Sequence, residues 1–334
     1  MKAVLVTGAG GFLGGATAHA LVQNGYAVRA LIRSSSCKTR CPAAADVVVG
    51  DLQDLGAMKH AVAGVETIVH LAGKAHAQDD PGGLDEEYHR INVEGTKHLL
   101  EAAQAAGVLR IIFASSVKVF GESTDGCCVD ESAPANPATA YARSKWQAEQ
   151  LVSDYARRTG TVAVSLRLSM VYGPTEKGNL FRMMAAIDRG RFPPFPNIDN
   201  KRSLVHVSNV VQAMRCCLRQ ERTRLPAYIV ADASPYSTTQ LYDSLRTGLG
   251  RARPSWRFPL SLLKAGARFG DLVQKGTGRP VPLTTRTLEK LLESAWYSPA
   301  ALMRDVGYSP SLSFDDAVPE LVAFYRKSIA RCSS

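Results

Sequence analysis

Residues 1–14 read MKAVLVTGAGGFLG, and the fold turns on this stretch. The apolar, β-branched-rich run from Ala3 to Val6 predicts a buried strand. Gly8, Gly11 and Gly14 follow at three-residue spacing, ahead of a helical pattern through Ala18, Leu21 and Val22. A glycine turn lets a ligand approach the backbone closely, and the first N–H groups of the helix, at the positive end of its dipole, favour a bound pyrophosphate. The spacing is GxxGxxG rather than the GxGxxG of the commoner dinucleotide fingerprint, with the same physics. The plain alternative is a tight strand-to-helix connection that binds nothing, and the elements downstream decide between the two.

Those elements alternate. A second apolar run, 26–32, ends in Arg33; a third, 46–49, ends in Gly50, Asp51 and Leu52; a fourth, 65–71, ends in Ala72 and Gly73. Helical patterns occupy 55–63 and 86–106. A fifth run, 110–114, leads into Ser115 and Ser116, a helix opens at Tyr141 and runs to about 158, and a sixth run covers 162–168. Beyond it the alternation loosens into a helix near 180–188, a short strand near 203–207 and a mostly helical tail. The pattern predicts an α/β chain with a Rossmann-type doubly wound parallel sheet and a smaller, mainly helical C-terminal substrate lobe. The expected division is 1–172 plus about 203–232 for the dinucleotide domain, and about 173–202 plus 233–330 for the lobe.

Bulk properties narrow the function classes. A chain of 334 residues that is 46% hydrophobic can bury a full core. Its seven cysteines are scattered, without CxxC or histidine-flanked spacing, so neither a metal site nor a disulfide framework is expected. A first strand at residue 3 leaves no room for a cleavable leader, and a reducing cytoplasm is the expected compartment. The net charge of +10 is spread along the chain without a basic block. It suits an anionic small substrate, and neither nucleic acid nor a membrane is the expected partner. Residues 260–273, with Lys264 and Arg268 on one helix face, are read as a cover for the substrate lobe, the alternative being a helix lying on an anionic surface.

The chemistry centres on Tyr141 and Lys145, four residues apart and so on one helix face. A tyrosine of pKa about 10 is a poor acid or base at neutral pH, but a neighbouring ammonium and an oxidised nicotinamide both favour its phenolate. Such a phenol can exchange a proton with an alcohol or carbonyl while hydride moves to or from nicotinamide. Ser116, at the end of the fifth strand, supplies a hydroxyl to the same oxygen. Arg33, where an NAD site usually carries an acid for the ribose, points to the 2′-phosphate of NADP. NADP(H) is therefore the favoured cofactor, with NAD(H) as the alternative.

Together these residues resemble the extended branch of the short-chain dehydrogenase/reductase superfamily, whose members modify nucleotide sugars. The segments TGAGGFLG, GDL, HLAG, NVEGT, SSVKVFGE, YARSK and RLSMVYGP carry the likeness along nearly the whole chain. The resemblance implies Tyr141 as acid-base, Lys145 as its activator and ribose anchor, and Ser116 as third catalytic member. It implies a cofactor site of Gly8, Gly11, Phe12, Leu13, Gly14, Arg33, Asp51, Leu52, Leu71, Ala72, Gly73 and Asn92 with Tyr141 and Lys145. Asn179 and Arg202 match positions that hold the diphosphate of a nucleotide-sugar substrate, and Ser116 is the third substrate-binding residue, at the reacting oxygen. Lys118 stands where dehydratases carry Glu, and Asn209 replaces the Asp of a common HVxD motif. The resemblance implies an oxidoreductase acting at C4 of a UDP-sugar. The reading favours a 4-ketoreductase of surface-polysaccharide biosynthesis, the alternatives being a UDP-glucose or UDP-N-acetylglucosamine 4-epimerase with bound NAD, or a dinucleotide sensor without turnover. A homodimer through helices 86–106 and 141–158 is expected by resemblance alone.

Overall fold

The computed structural model describes residues 3–75, 85–176, 178–279 and 281–333. Strands β1 (Ala3–Thr7), β2 (Val28–Ile32), β3 (Asp46–Val49), β4 (Val65–His70), β5 (Arg110–Ser116), β6 (Val162–Leu168) and β9 (Ala227–Val230) form a parallel sheet in the order β3-β2-β1-β4-β5-β6-β9. Strands β7 (Met170–Tyr172) and β8 (Leu204–His206) pair separately. Strand order reverses between β1 and β4, where Thr7 pairs with His70, so the carboxyl ends of both strands open into one crevice. In open α/β sheets that crevice is where ligands bind.

Parallel strands are buried on both faces, and the helices supply the cover. On one side α1 (Phe12–Gln23) and α7 (Val207–Arg219) pack Ala18, Leu21, Val210 and Met214 against Val6, Ile112 and Leu166. On the other side α2 (Leu55–Val62), α4 (Gly95–Ala106) and α5 (Ala140–Thr159) pack Met58, Leu99, Ala103, Val152 and Tyr155 against Leu5, Ile68 and Phe113. Each large apolar side chain so buried stabilises the fold by about 1.5–3 kcal/mol. A third apolar cluster joins α6 (Asn179–Asp188), α8 (Thr238–Gly248) and α12 (Phe314–Ser333). Helices α9 (Leu260–Thr277), α10 (Thr285–Leu292) and α11 (Ala300–Val306) complete the C-terminal part.

Two elements differ from the sequence reading. Strand β9, all four residues buried, closes the sheet beside β6. The helix read as continuous over 86–106 is α3 (Asp85–Tyr88), a π turn at His89–Glu94 and then α4. The cause lies in the buried Asn92, whose side chain is bonded away from the helix while the Thr96 hydroxyl takes its carbonyl at 2.6 Å. A widened turn is a frequent mark of a functional site.

Candidate active site

The glycine turn is shaped by close approach. Gly8 has φ +68°, and a Cβ there would stand 2.9 Å from the Ala72 backbone; at Gly14 it would stand 2.1 Å from the Gly8 carbonyl oxygen. Gly11 precedes α1 with no side-chain cap, and the first turn of α1 holds no acid. Its N–H groups therefore face the crevice without a competing anion. Phe12 packs where a Cβ at Gly173 would fall, 2.9 Å from its ring. Leu13 and Leu71 are half-buried against the first core cluster.

The crevice floor is one chain of hydrogen bonds. The N–H groups of Leu71 and Ala72 donate to Thr7 Oγ1, which pairs with His70 Nδ1 at 2.8 Å. His70 Nε2 lies 3.0 Å from Thr96 Oγ1, which itself donates to the Asn92 carbonyl. These bonds assign His70 as the neutral Nε2–H tautomer. Burial agrees, holding its pKa down to about 3, with the Lys145 charge adding to the effect. Asn92 accepts from the Lys74 N–H and donates to the Lys74 carbonyl and to Ser144 Oγ, which donates to the Tyr141 carbonyl. Asn92 thus ties the loop after β4 to the start of α5. A Cβ at Gly73 would lie 2.9 Å from Asn92 Oδ1 and 3.8 Å from Lys145 Nζ, so Gly73 keeps open the space beside that ammonium.

The structure brings the three expected catalytic groups to this floor. Ser116 ends β5, and its hydroxyl lies beside the Tyr141 phenol, where it favours the phenolate. Thr139 caps α5 by accepting from the Ala142 N–H, which sets Tyr141 and Lys145 on the first two turns. Lys145 Nζ sits 4.4 Å from the Phe113 ring centroid. Burial lowers its pKa to about 8, partly offset by Glu149 one turn on. Burial raises the Tyr141 phenol above its ordinary value, the Ser116 bond opposing and the nearby Tyr88 adding.

A model of the NAD dependent epimerase/dehydratase family matches residues 4–231. The chain belongs to that family. A UDP-glucose 4-epimerase of Vibrio cholerae is 30% identical over 316 residues, 90% of this chain and 92% of that one. An N-acetyl-alpha-D-glucosaminyl-diphospho-ditrans,octacis-undecaprenol 4-epimerase of Escherichia coli O157:H7 is 29% identical over 244 residues, 72% of each chain. The UDP-glucose 4-epimerase of Thermus thermophilus, solved in complex with NAD, superposes with a TM-score of 0.73 over 97% of this chain and 99% of that one, at 24% identity. The chain is thus an NAD(P)-dependent enzyme of the short-chain dehydrogenase/reductase kind, with the Rossmann-like sheet of the epimerases.

Around this epimerase/dehydratase core the remaining expected residues are spread. Arg33 is exposed directly after β2. Asp51 is exposed after β3 and caps the Gln53 N–H at 2.9 Å, whereas the Leu52 side chain packs inward against Gly95. Asn179 is the exposed first residue of α6. Arg202 donates through Nη1 to the carbonyls of Lys290 and Glu293, at the end of α10, and burial lowers its pKa. Among the described residues no hydrogen bond joins Asn179 to Arg202.

Three features escaped the sequence reading. Arg40 closes a 3-10 turn at Ser35–Arg40 and donates to the Gly10 carbonyl at 3.2 Å, which places a second guanidinium beside the glycine turn. Glu149 is buried one turn below Lys145, bonded to Ser115 Oγ at 2.7 Å and to Arg167 Nη2 at 2.6 Å, and Arg167 lies over the Phe120 ring. An arginine inside a buried, mostly apolar strand was the available signal. Tyr297 stacks on Phe120 with its hydroxyl buried and unpaired among the described residues, an arrangement that a ligand acceptor would satisfy.

Proposed function

We propose that this enzyme reduces the 4-keto group of a UDP-sugar with NADPH, as a step in building a surface polysaccharide. One observation carries the reading: Arg33 directly follows β2, Arg40 closes the 3-10 turn after it and reaches back to the Gly10 carbonyl of the glycine loop, and the residues that follow β2, Arg33 to Ser36, include no acid. Two guanidiniums suit a 2′-phosphate, whereas a ribose 2′-hydroxyl is usually met by an acid. A cofactor consumed once per turnover must exchange, and a solvent-facing Arg33 favours exchange.

The dinucleotide would lie with its pyrophosphate on the uncapped start of α1 and its ribose near Lys145. NADPH, when bound, supplies hydride. Tyr141 donates its proton to the oxygen at C4, so that the carbonyl becomes an alcohol, and Ser116 holds that oxygen by hydrogen bonding. A phenol held above its ordinary pKa is the protonated form that reduction requires. Arg202 and Asn179 support a diphosphate carrier, the element common to a UDP-sugar and to the lipid-linked sugar named for the Escherichia coli relative.

The UDP-glucose 4-epimerases among the relatives support a second reading, 4-epimerisation with a retained NAD. Denaturing the purified protein, identifying released dinucleotide and titrating the emptied chain with NADPH and NADH separates the two. An empty site that prefers NADPH, with one NADPH oxidised per molecule of UDP-4-keto-6-deoxy-N-acetylhexosamine, upholds reduction. Stoichiometric NAD, with UDP-glucose and UDP-galactose interconverted and no net cofactor consumption, overturns it.

A further inference from the structure

Helix α9 presents apolar side chains on two sides. Of its 18 residues only Leu263, Ala267 and Gly270 are buried. They pack onto α10 and the preceding loop, where Gly270 lies so close to the Leu283 carbonyl that a Cβ would fall 1.9 Å from its oxygen. The outer side carries Leu262, Phe269 and Leu272, exposed to 56%, 67% and 67%. Spacings of seven and three place these residues on one face. A water-facing helix ordinarily turns a polar face outward, and this one turns an apolar stripe outward beside its charged residues.

Charge says what meets that face. Lys264, Arg268 and Lys275 are exposed at spacings of four and seven, and so form one flank of the apolar stripe. The single acid of the helix, Asp271, is turned inward, where both oxygens accept from Thr285. Trp256, 56% exposed, stands just ahead of the helix. An apolar face with aromatic residues and a cationic border is the composition of helices that lie in the plane of an anionic bilayer surface. Among the described residues no helix is long and apolar enough to cross a membrane, so the contact is peripheral. A second copy fits this face less well. Antiparallel twofold pairing would set the same cationic flanks side by side in a chain of net charge +10.

We propose that the outer face of α9 docks this enzyme on an anionic phospholipid membrane, with Leu262, Phe269 and Leu272 entering the headgroup region and Lys264, Arg268 and Lys275 meeting its phosphates. This replaces the expectation that the helix serves only to cover the substrate lobe. The docking rests on the surface alone and holds for either reading of the chemistry.

The test is sedimentation of the full chain with vesicles of phosphatidylcholine alone or mixed with phosphatidylglycerol, with tryptophan emission followed in parallel. We expect binding to the anionic vesicles only, lost as salt is raised, with a blue shift that Trp256→Phe abolishes. The double variant Lys264→Gln, Arg268→Gln should bind about thirtyfold more weakly. The double variant Phe269→Ser, Leu272→Ser should lose binding while its thermal midpoint stays within a degree or two, on the order expected for exposed sites. Three results overturn the proposal: no binding to anionic vesicles, equal binding to both vesicle types, or unchanged binding of the Phe269→Ser, Leu272→Ser variant. A wild-type oligomer in sedimentation equilibrium that this variant dissociates also overturns it, since another copy would then cover the face.

Discussion

Lys145 concentrates the conflict between stability and chemistry in this protein. Lys145 is 8% exposed, its ammonium packed on Phe113, and the nearest acid on its helix, Glu149, is already held by Arg167 and Ser115. A folded-state pKa of about 8 against 10.5 means that the folded chain binds this proton less tightly than the unfolded chain. The destabilisation is fully present below pH 8 and is relieved as pH rises from about 8 toward 10.5, at about 1.4 kcal/mol per pH unit. Lys145→Met should therefore raise the melting midpoint at pH 7, with the gap to the parent closing over that window, and should abolish hydride transfer. Melting curves of both proteins across the window check the sign; a constant gap would refute the charge account. Tyr141→Phe separates the proton from the hydride. It should bind dinucleotide as the parent does and lose about 10²–10⁴-fold in turnover, read by cofactor titration and a steady-state assay. Residual turnover near the parent's would remove Tyr141 from the acid-base role.

At the scale of elements, the site depends on two departures from regular structure. The glycine turn admits no side chain at Gly14, where a Cβ would sit 2.1 Å from the Gly8 oxygen. Gly14→Ala should push α1 away from β1, cost about 1–3 kcal/mol in denaturant unfolding and weaken dinucleotide binding. Unchanged binding in a fluorescence titration would show that the turn does not cradle the cofactor. This turn was readable in the sequence because three glycines between an apolar run and a helix leave few conformations to choose among. The run 162–168 matched β6 residue for residue for a similar reason: Val162, Val164, Leu166 and Leu168 alternate at the strand period between polar turns. The π turn at His89–Glu94 was not readable, since it exists only because Asn92 finds the Lys74 backbone and Ser144, partners 18 and 52 residues away. Strand β9 carries four residues, too few to show a period, and is recognised only by its pairing with β6. Tyr141, Lys145 and Ser116 were legible as a set because their spacing and strand end are local, whereas Arg40, Glu149 and Tyr297 acquire their roles from long-range packing.

At the scale of the whole molecule, the sheet and the C-terminal part meet at one buried carboxylate. Asp232, just past β9, accepts from the Tyr172 hydroxyl at 3.0 Å, the His206 N–H at 3.2 Å and Asn209 Nδ2 at 2.7 Å. Asn209 then reaches the segment leading into α12, accepting from the N–H groups of Ser311 and Leu312 and donating to the Leu312 carbonyl. This explains the departure from the HVxD motif. With the carboxylate supplied by Asp232, an acid at 209 would leave two carboxylates 2.7 Å apart in a site where Asn209 is 0% and Asp232 5% exposed. Asn209→Asp keeps the acceptor for Ser311 and Leu312, removes the two donated bonds and adds a charge, and the pH dependence separates the charge from the lost bonds. Burial already raises the Asp232 pKa, with the Asn209, His206 and Tyr172 bonds opposing. A second carboxylate would raise the pair's shared pKa further. The resulting destabilisation, about 3–5 kcal/mol, is present above that raised pKa and is relieved as pH falls and the pair takes up a proton. The variant's deficit in melting midpoint should accordingly be large at pH 8 and smaller at pH 5, each measured against the parent at the same pH. A deficit that does not change with pH would mean that the lost bond to the Leu312 carbonyl, rather than repulsion, is what the two halves of the molecule depend on at this junction.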